Sequence, residues 1–211
     1  AKRLESQESA KYVNAFARFN HVNWSEFDPS FVSSYPTFYS LLCRKMIQKQ
    51  PSKTEKDSIT CPVDGRVVTY QTLQDCQDLW IRGSKFTMDK LLAGAIPPSL
   101  TERIGNVNKW AILGARITSS EYLGVHMPYP GKILHVFEKD GACYCLTPIV
   151  LSQEVNVLTD NTRTILMVEA DIGIMIIVLF NSLDAYSCQI PHKIGDEVKK
   201  GELLAFYELI Q

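Results

Sequence analysis

Three things are missing from this sequence, and each absence closes a class of function. Charge of one sign is missing: 22 basic residues meet 23 acidic ones for a net charge of -1. No electrostatic footprint for nucleic acid is present, so none is expected as a partner. Paired cysteines are missing. Cys43, Cys61, Cys76, Cys143, Cys145 and Cys188 include no CxxC and no zinc-like spacing, which predicts reduced, mostly buried thiols, no metal and an intracellular setting. A long hydrophobic run is missing too. The longest, IGIMIIVLF from Ile172 to Phe180, is too short to span a bilayer and is β-branched, so it predicts a core strand.

What is present suits a globular chain. A hydrophobic content of 45% over 211 residues can bury a sizeable core. Residues 1–57 read as a helical N-terminal region with a linker, and 58–211 as a β-rich catalytic body. Tyr12, Val13, Phe16 and Phe19 recur at helical spacing, and Pro29 and Pro36 then interrupt the path. The segment TFYSLLCRKMIQKQ is an amphipathic helix candidate. It packs on the core, or its apolar residues Phe38, Leu41, Leu42 and Met46 face lipid while Arg44, Lys45 and Lys49 contact headgroups. After KQPSKTEKDS, turn signals such as VDGR, PYPG, EKDGA and KIGDE recur at short intervals. They predict an all-β body with one short helix near TMDKLLAG. The final HKIGDEVKKGELLAFYELIQ predicts a hairpin whose last strand, from Tyr207, leaves backbone groups for another chain to pair.

Two segments carry candidate chemistry. CPVDGRVV puts Asp64 in a tight turn before a strand, where an aspartate ordinarily bonds its own backbone. SSEYLGVHMPYPGKIL puts His126 at the mouth of a Pro-Gly turn, where an imidazole can be partly desolvated. His21, His135 and His192 carry no motif.

In order along the chain, YPTFYSLLCRKM, CPVDGRV, IRGSKFTMDKLLAG, ARITSSEYLGVHMPYPGKI, ACYCLTP, TDNTR and GDEVKKGELLAFYEL resemble the β subunit of the phosphatidylserine decarboxylase family. The resemblance covers residues 30–211. It implies an α+β, mainly β fold with a barrel-sandwich-like β body and N-terminal helices. It also implies a proenzyme that cuts itself after Gln211, leaving a pyruvoyl group at the N-terminus of a small α subunit. That group would condense with the substrate amine and withdraw the electrons left when carbon dioxide departs. His126 would be the general base and proton donor, Asp64 its orienting partner, and Tyr122 and Asp184 substrate contacts. A homodimer of αβ units at a membrane surface, or free in the cytoplasm, completes the picture.

The chain departs from the family pattern in three places. Leu123-Gly124 stand where a His and an Arg are usual, Asp184 replaces a Gly, and Ile210-Gln211 precede the cleavage point where Gly is usual. Asp184 and the missing Arg favour a free aromatic amino acid as the alternative substrate. A third reading, from GDEVKKGELLAFYE and PVDGRVV, is a carrier-like module or pseudoenzyme without activity.

Overall fold

The computed structural model describes residues 2–47, 58–80, 87–117, 121–144, 156–181 and 186–209. The first of these stretches builds its own small core. Helix α1 (Lys2–Glu5), a 3-10 turn (Gln7–Tyr12) and helix α2 (Val13–Phe19) bring Val13 and Phe16 against Tyr35, Phe38 and Leu41. The Phe16 and Phe38 rings meet edge-on with centroids 4.9 Å apart, the arrangement that aromatic quadrupoles favour.

Of the helix expected over TFYSLLCRKMIQKQ, the described residues form only α3 (Phe38–Leu42). Thr37 and Ser40 form a reciprocal capping box at its start. It stops at Cys43 because Lys45–Met46, strand β2, pairs antiparallel with Phe27–Asp28, strand β1. Leu41 and Leu42 are 0% and 4% exposed, and Arg44 is 6% exposed. These side chains are therefore committed to protein, and the lipid-facing reading of this helix is corrected.

The body begins with a two-stranded ribbon, β3 (Arg66–Tyr70) on β4 (Ile112–Arg116). Helices α4 (Leu73–Trp80), α5 (Met88–Leu92) and α6 (Pro98–Ile104) lie between the two strands in sequence. One short helix was expected here. The additional helices are too brief for a clear 3.6-residue period, and α6 is marked chiefly by its Pro98 start. Then come β5 (Gly124–His126), β6 (Gly131–Lys139), α7 (Val157–Asp160), β7 (Arg163–Ala170), β8 (Gly173–Phe180), β9 (Tyr186–Gln189), β10 (Glu197–Val198) and β11 (Leu203–Leu209).

Two sheets carry the body, one ordered β10-β6-β7-β8 and one ordered β5-β11-β9. β7 explains the layering. Its Ile165, Leu166, Met167 and Val168 are all 0% exposed, because successive side chains of a strand point to opposite faces and both faces are covered. Leu166 and Val168 pack towards the smaller sheet with Val125, Met127, Leu204 and Ala205. Ile165 and Met167 pack on Leu92, Leu100 and Ile104 of α5 and α6. Each of these burials is worth about 1.5–3 kcal/mol. The architecture is the expected one, α+β and mainly β, with N-terminal helices.

The terminal hairpin is not a hairpin. β10 pairs with β6, whereas β11 pairs with β5 on one side and with β9 on the other. Gly195 and Gly201, at φ 97 and 78, make the turns on either side of β10, and Val198 is drawn into the core at 2% exposure. Tyr207, Glu208 and Leu209 pair with Cys188, Ser187 and Tyr186 of β9 on one side, and Ile210 and Gln211, the rest of the end expected to meet another chain, lie outside the described residues. The thiols are also corrected: Cys76 is buried, but Cys61 and Cys143 are exposed and Cys43 and Cys188 half-buried, none of these five in a disulfide.

Candidate active site

β5 is three residues long, and both of its sides are committed. The His126 amide donates to the Pro62 carbonyl at 2.7 Å, and Thr60 N–H donates to Pro128 O at 3.0 Å. The CPVDG segment is thereby laid against β5, which brings Asp64 to the end of the chain segment beside His126. On the other side, β11 pairs with β5 through a bulge between Leu203 and Ala205, opposite His126. Bulges of this kind re-aim side chains next to functional sites.

The His126 imidazole is held through Nδ1, 2.8 Å from the Gly201 carbonyl oxygen. A carbonyl can only accept, so Nδ1 carries the proton and donates. In this tautomer the lone pair lies on Nε2. Nε2 is buried and has no hydrogen-bond partner among the described residues. The Gly201 peptide is fixed in turn, since its N–H donates to Met127 O and Met127 N–H donates to Glu202 O, both at 2.8 Å.

Around this ring stand an aromatic wall and a buried cation. The Tyr122 ring lies 5.7 Å from His126 and 6.2 Å from Phe27. The Arg44 guanidinium sits over Phe27, 4.7 Å from its centroid, and Nη1 donates to Leu41 O at 3.2 Å. Burial pushes the Arg44 pKa down, while Tyr35, Asp64 and Tyr122 oppose the shift. Burial likewise pushes the Tyr122 phenol up to about 12, Asp64 adding to the shift and Arg44 countering it. These mutual influences place Asp64, Arg44 and Tyr122 in one electrostatic neighbourhood. Tyr122 owes its position to Gly124, where a β-carbon would lie 2.3 Å from the phenol ring.

Of the residues singled out in the sequence, the structure thus gathers Asp64, Tyr122 and His126. Asp64 is exposed and makes no hydrogen bond to its own turn or to His126 among the described residues; the Nδ1 position is held by Gly201 instead. Asp184 and Gln211 lie outside the described residues. Sequence reasoning missed Phe27, the Gly201 carbonyl and the burial of Arg44. Gly201 was visible as a turn glycine, but nothing local could pair its carbonyl with a side chain 75 positions away. The described residues contain no cluster able to hold a metal ion, and none of their helices is long and apolar enough to cross a membrane.

This arrangement offers an imidazole with a fixed tautomer, a buried open nitrogen, a buried cation and a carboxylate within electrostatic reach. It fits a site in which a proton is taken from, or returned to, a group supplied from outside the described residues. Two cavities lie elsewhere, one bounded by Arg18, His21 and Trp24 and the other by Val136, Cys188 and His192.

Comparison with known proteins bears on the family. The sequence profile of the phosphatidylserine decarboxylase family matches residues 38–209. Phosphatidylserine decarboxylase proenzyme 2 of Saccharomyces cerevisiae is 25% identical over 209 residues, covering 98% of this chain and 18% of that protein. The proenzyme 2 of Oryza sativa subsp. japonica is 26% identical over 214 residues, covering 98% of this chain and 33% of that protein. The proenzyme of Bacillus thuringiensis is 23% identical over 207 residues, covering 98% and 76%. The chain therefore spans only a minor part of the yeast and rice proteins.

Proposed function

The chain belongs to the phosphatidylserine decarboxylase family, and from that premise we propose that it is the β subunit of a pyruvoyl-dependent carboxy-lyase that converts phosphatidylserine to phosphatidylethanolamine. The observation that carries the reading is the His126 ring, fixed by Gly201 through Nδ1 with Nε2 buried and open. The names of the relatives as proenzymes support cleavage of a precursor. Cleavage after Gln211 is inferred from the order of the family-like motifs and not from where the sequence stops.

In this reading Nε2 takes the proton from a serine hydroxyl as its oxygen attacks the preceding carbonyl, and passes that proton to the departing amine nitrogen, exchanging an amide for an ester that then eliminates and parts the chain. Gly201 holds the ring so that the basic nitrogen faces that hydroxyl. Asp64 stabilises the imidazolium through its charge, and Arg44 restrains Asp64 and Tyr122. The pyruvoyl group, carried by the small α subunit, would supply the electron sink for loss of carbon dioxide. During turnover the same Nε2, reprotonated from solvent, would give a proton to the substrate carbon, while the Phe27 and Tyr122 rings shield the base from water. A homodimer of αβ units, loose or peripheral on a membrane, goes with this proposal.

The test compares carbon dioxide release from phosphatidylserine in mixed micelles with release from free tryptophan, tyrosine and serine. Release from the lipid alone is expected. Release from a free amino acid alone would transfer the assignment to the amino-acid decarboxylase, the reading that Asp184 favours.

A further inference from the structure

The substrate proposed above carries a phosphodiester, and none of the residues placed at the site so far would hold it. Tyr122, Leu123 and Gly124, which lead to His126, offer no cation. Arg44 is buried and its charge is shared with Asp64 and Tyr122.

Two other arginines stand out on the ribbon of β3 and β4. Arg66 and Arg116 are directly opposite each other in its register, so their side chains leave the ribbon on the same face. That face is the one turned inward. Gly114 on it is buried and Val68, Tyr70 and Ile112 are half-buried, whereas Val67 and Leu113 on the other face are each 41% exposed. At the end of this covered face both arginines are exposed, and neither has a hydrogen bond or an ion pair among the described residues. Like charges directly opposite destabilise a strand pair, so the ribbon by itself gains nothing from them.

The end that carries the pair abuts the site. Val63 and Ile117 pack on the core cluster that contains Val125 and Met127, the neighbours of His126. Gly65 lets the two backbones meet, since a β-carbon there would lie 2.5 Å from the Arg116 carbonyl oxygen. Asp64, in the same turn, is within electrostatic reach of Tyr122. Two carboxylates stand near this end, Asp64 and Glu121, the second with Oε2 3.5 Å from the same β-carbon position. Neither forms an ion pair with the arginines.

We propose that Arg66 and Arg116 together bind the phosphodiester of the substrate headgroup, and so select a phospholipid against a free amino acid. The inference rests on the decarboxylase reading and names the group within it that reads the substrate. In a serine phosphodiester only a methylene and one oxygen separate the phosphorus from the α-carbon, so a phosphate held at the ribbon end keeps the reacting carbon on the His126 side. Two planar guanidiniums can share the oxygens of one phosphate, and the anion offsets the repulsion the pair suffers alone. Free tryptophan or tyrosine brings no such anion.

The test uses the purified protein and soluble ligands, so that no lipid surface enters. Binding of glycerophosphoethanolamine, which has the headgroup phosphodiester but no carboxylate to lose, is measured by isothermal titration; kcat and KM are measured with monomeric dihexanoylphosphatidylserine. Arg66→Gln and Arg116→Gln should each weaken glycerophosphoethanolamine binding about tenfold. Each should raise KM by a similar factor and leave kcat unchanged, the pattern of a contact made equally in the ground state and the transition state. The melting temperature should stay unchanged or rise, because each substitution relieves the like-charge pair, whereas a merely structural role would lower it. Wild-type affinity in the doubly substituted protein overturns the proposal, as does a wild-type protein that fails to bind glycerophosphoethanolamine. Inorganic phosphate that binds as tightly would make this a free-phosphate site, and loss of the small α chain from purified Arg66→Gln would make it a subunit contact; either overturns the assignment. Arginine-dependent binding without release of carbon dioxide would keep the subsite and count against the enzymatic reading alone.

Discussion

Two polar clusters in this chain come from motifs of equal standing in the sequence, and the fold treats them in opposite ways. Asn161 and Arg163 of TDNTR are 0% and 1% exposed, and their hydrogen-bonding groups are engaged throughout. The Arg163 Nε donates to Leu91 O, Nη1 to Thr159 O and Asn161 O, and Nη2 to Lys90 O. Asn161 accepts from Tyr144 N–H and donates to the carbonyls of Tyr144 and Asn181. Around His126, in contrast, one ring nitrogen is anchored and the other is buried and open, and Asp64 faces outwards with only electrostatic neighbours. Resemblance to a family cannot distinguish these cases. Completed valence marks a residue that holds the fold, and unfilled valence in a buried place marks one kept available for a group that arrives.

The comparison breaks most readily at His126. In a proenzyme, His126→Ala is expected to slow self-cleavage by about 10²–10⁴-fold, the usual contribution of a general base, and to leave one uncut chain on a denaturing gel. Its stability should change little, because only one hydrogen bond to Gly201 is lost. Cleavage at the wild-type rate would remove His126 from the site. Arg163→Met should show the reverse. It strands four carbonyls around the C-terminal turn of α5 and the end of α7, so urea unfolding should show a loss of about 3–5 kcal/mol. A loss below about 1 kcal/mol would mean that the saturated cluster holds nothing.

A smaller effect links the two kinds of role. Gly124→Ala places a β-carbon within 2.3 Å of the Tyr122 ring, and an overpacked contact of this kind costs about 1–3 kcal/mol. The ring can escape only by turning away from its neighbours Phe27 and His126. Slower processing together with a lower melting temperature is expected. Gly124→Ala with both unchanged would show that the packing of Tyr122 on β5 is dispensable.

How much of this was legible beforehand varies with the range of the interaction. β8 was readable because Gly173–Phe180 is a continuous apolar run rich in β-branched residues, and the turns that carry Asp64 and precede β6 were readable because turn chemistry is local. The end of the helix at Leu42 was not. It depends on Lys45 and Met46 finding Asp28 and Phe27 across the lobe, a pairing with no local signature. The separation of β10 from β11 was hidden for the same reason: both alternate well enough for a hairpin, and Val198 is assigned to β6 by the core. Arg44, basic and at the end of an amphipathic segment, read as a surface cation until the fold closed over it.

The smallest effect concerns pH. The Tyr122 phenol is pushed up to about 12, first by burial and then by the Asp64 charge, against the lowering influence of Arg44. In the unfolded chain a tyrosine titrates near 10. The sign follows from which state releases its proton first. Below about pH 10 the phenol is neutral in both states, and its contribution to stability is intact. Between about pH 10 and 12 the unfolded state ionises while the folded state keeps its proton, so stability falls as pH rises. Tyr122→Phe removes this contribution and should make the unfolding free energy less steep from pH 9 to 11, leaving the part due to other buried groups such as Tyr207 and Cys188, whose pKa values are also raised by burial. Asp64→Asn should flatten the same slope by less, because burial is the larger cause. Equal slopes in wild type and Tyr122→Phe would show that the ring does not lie in the enclosed, charge-coupled position from which the site at His126 is argued.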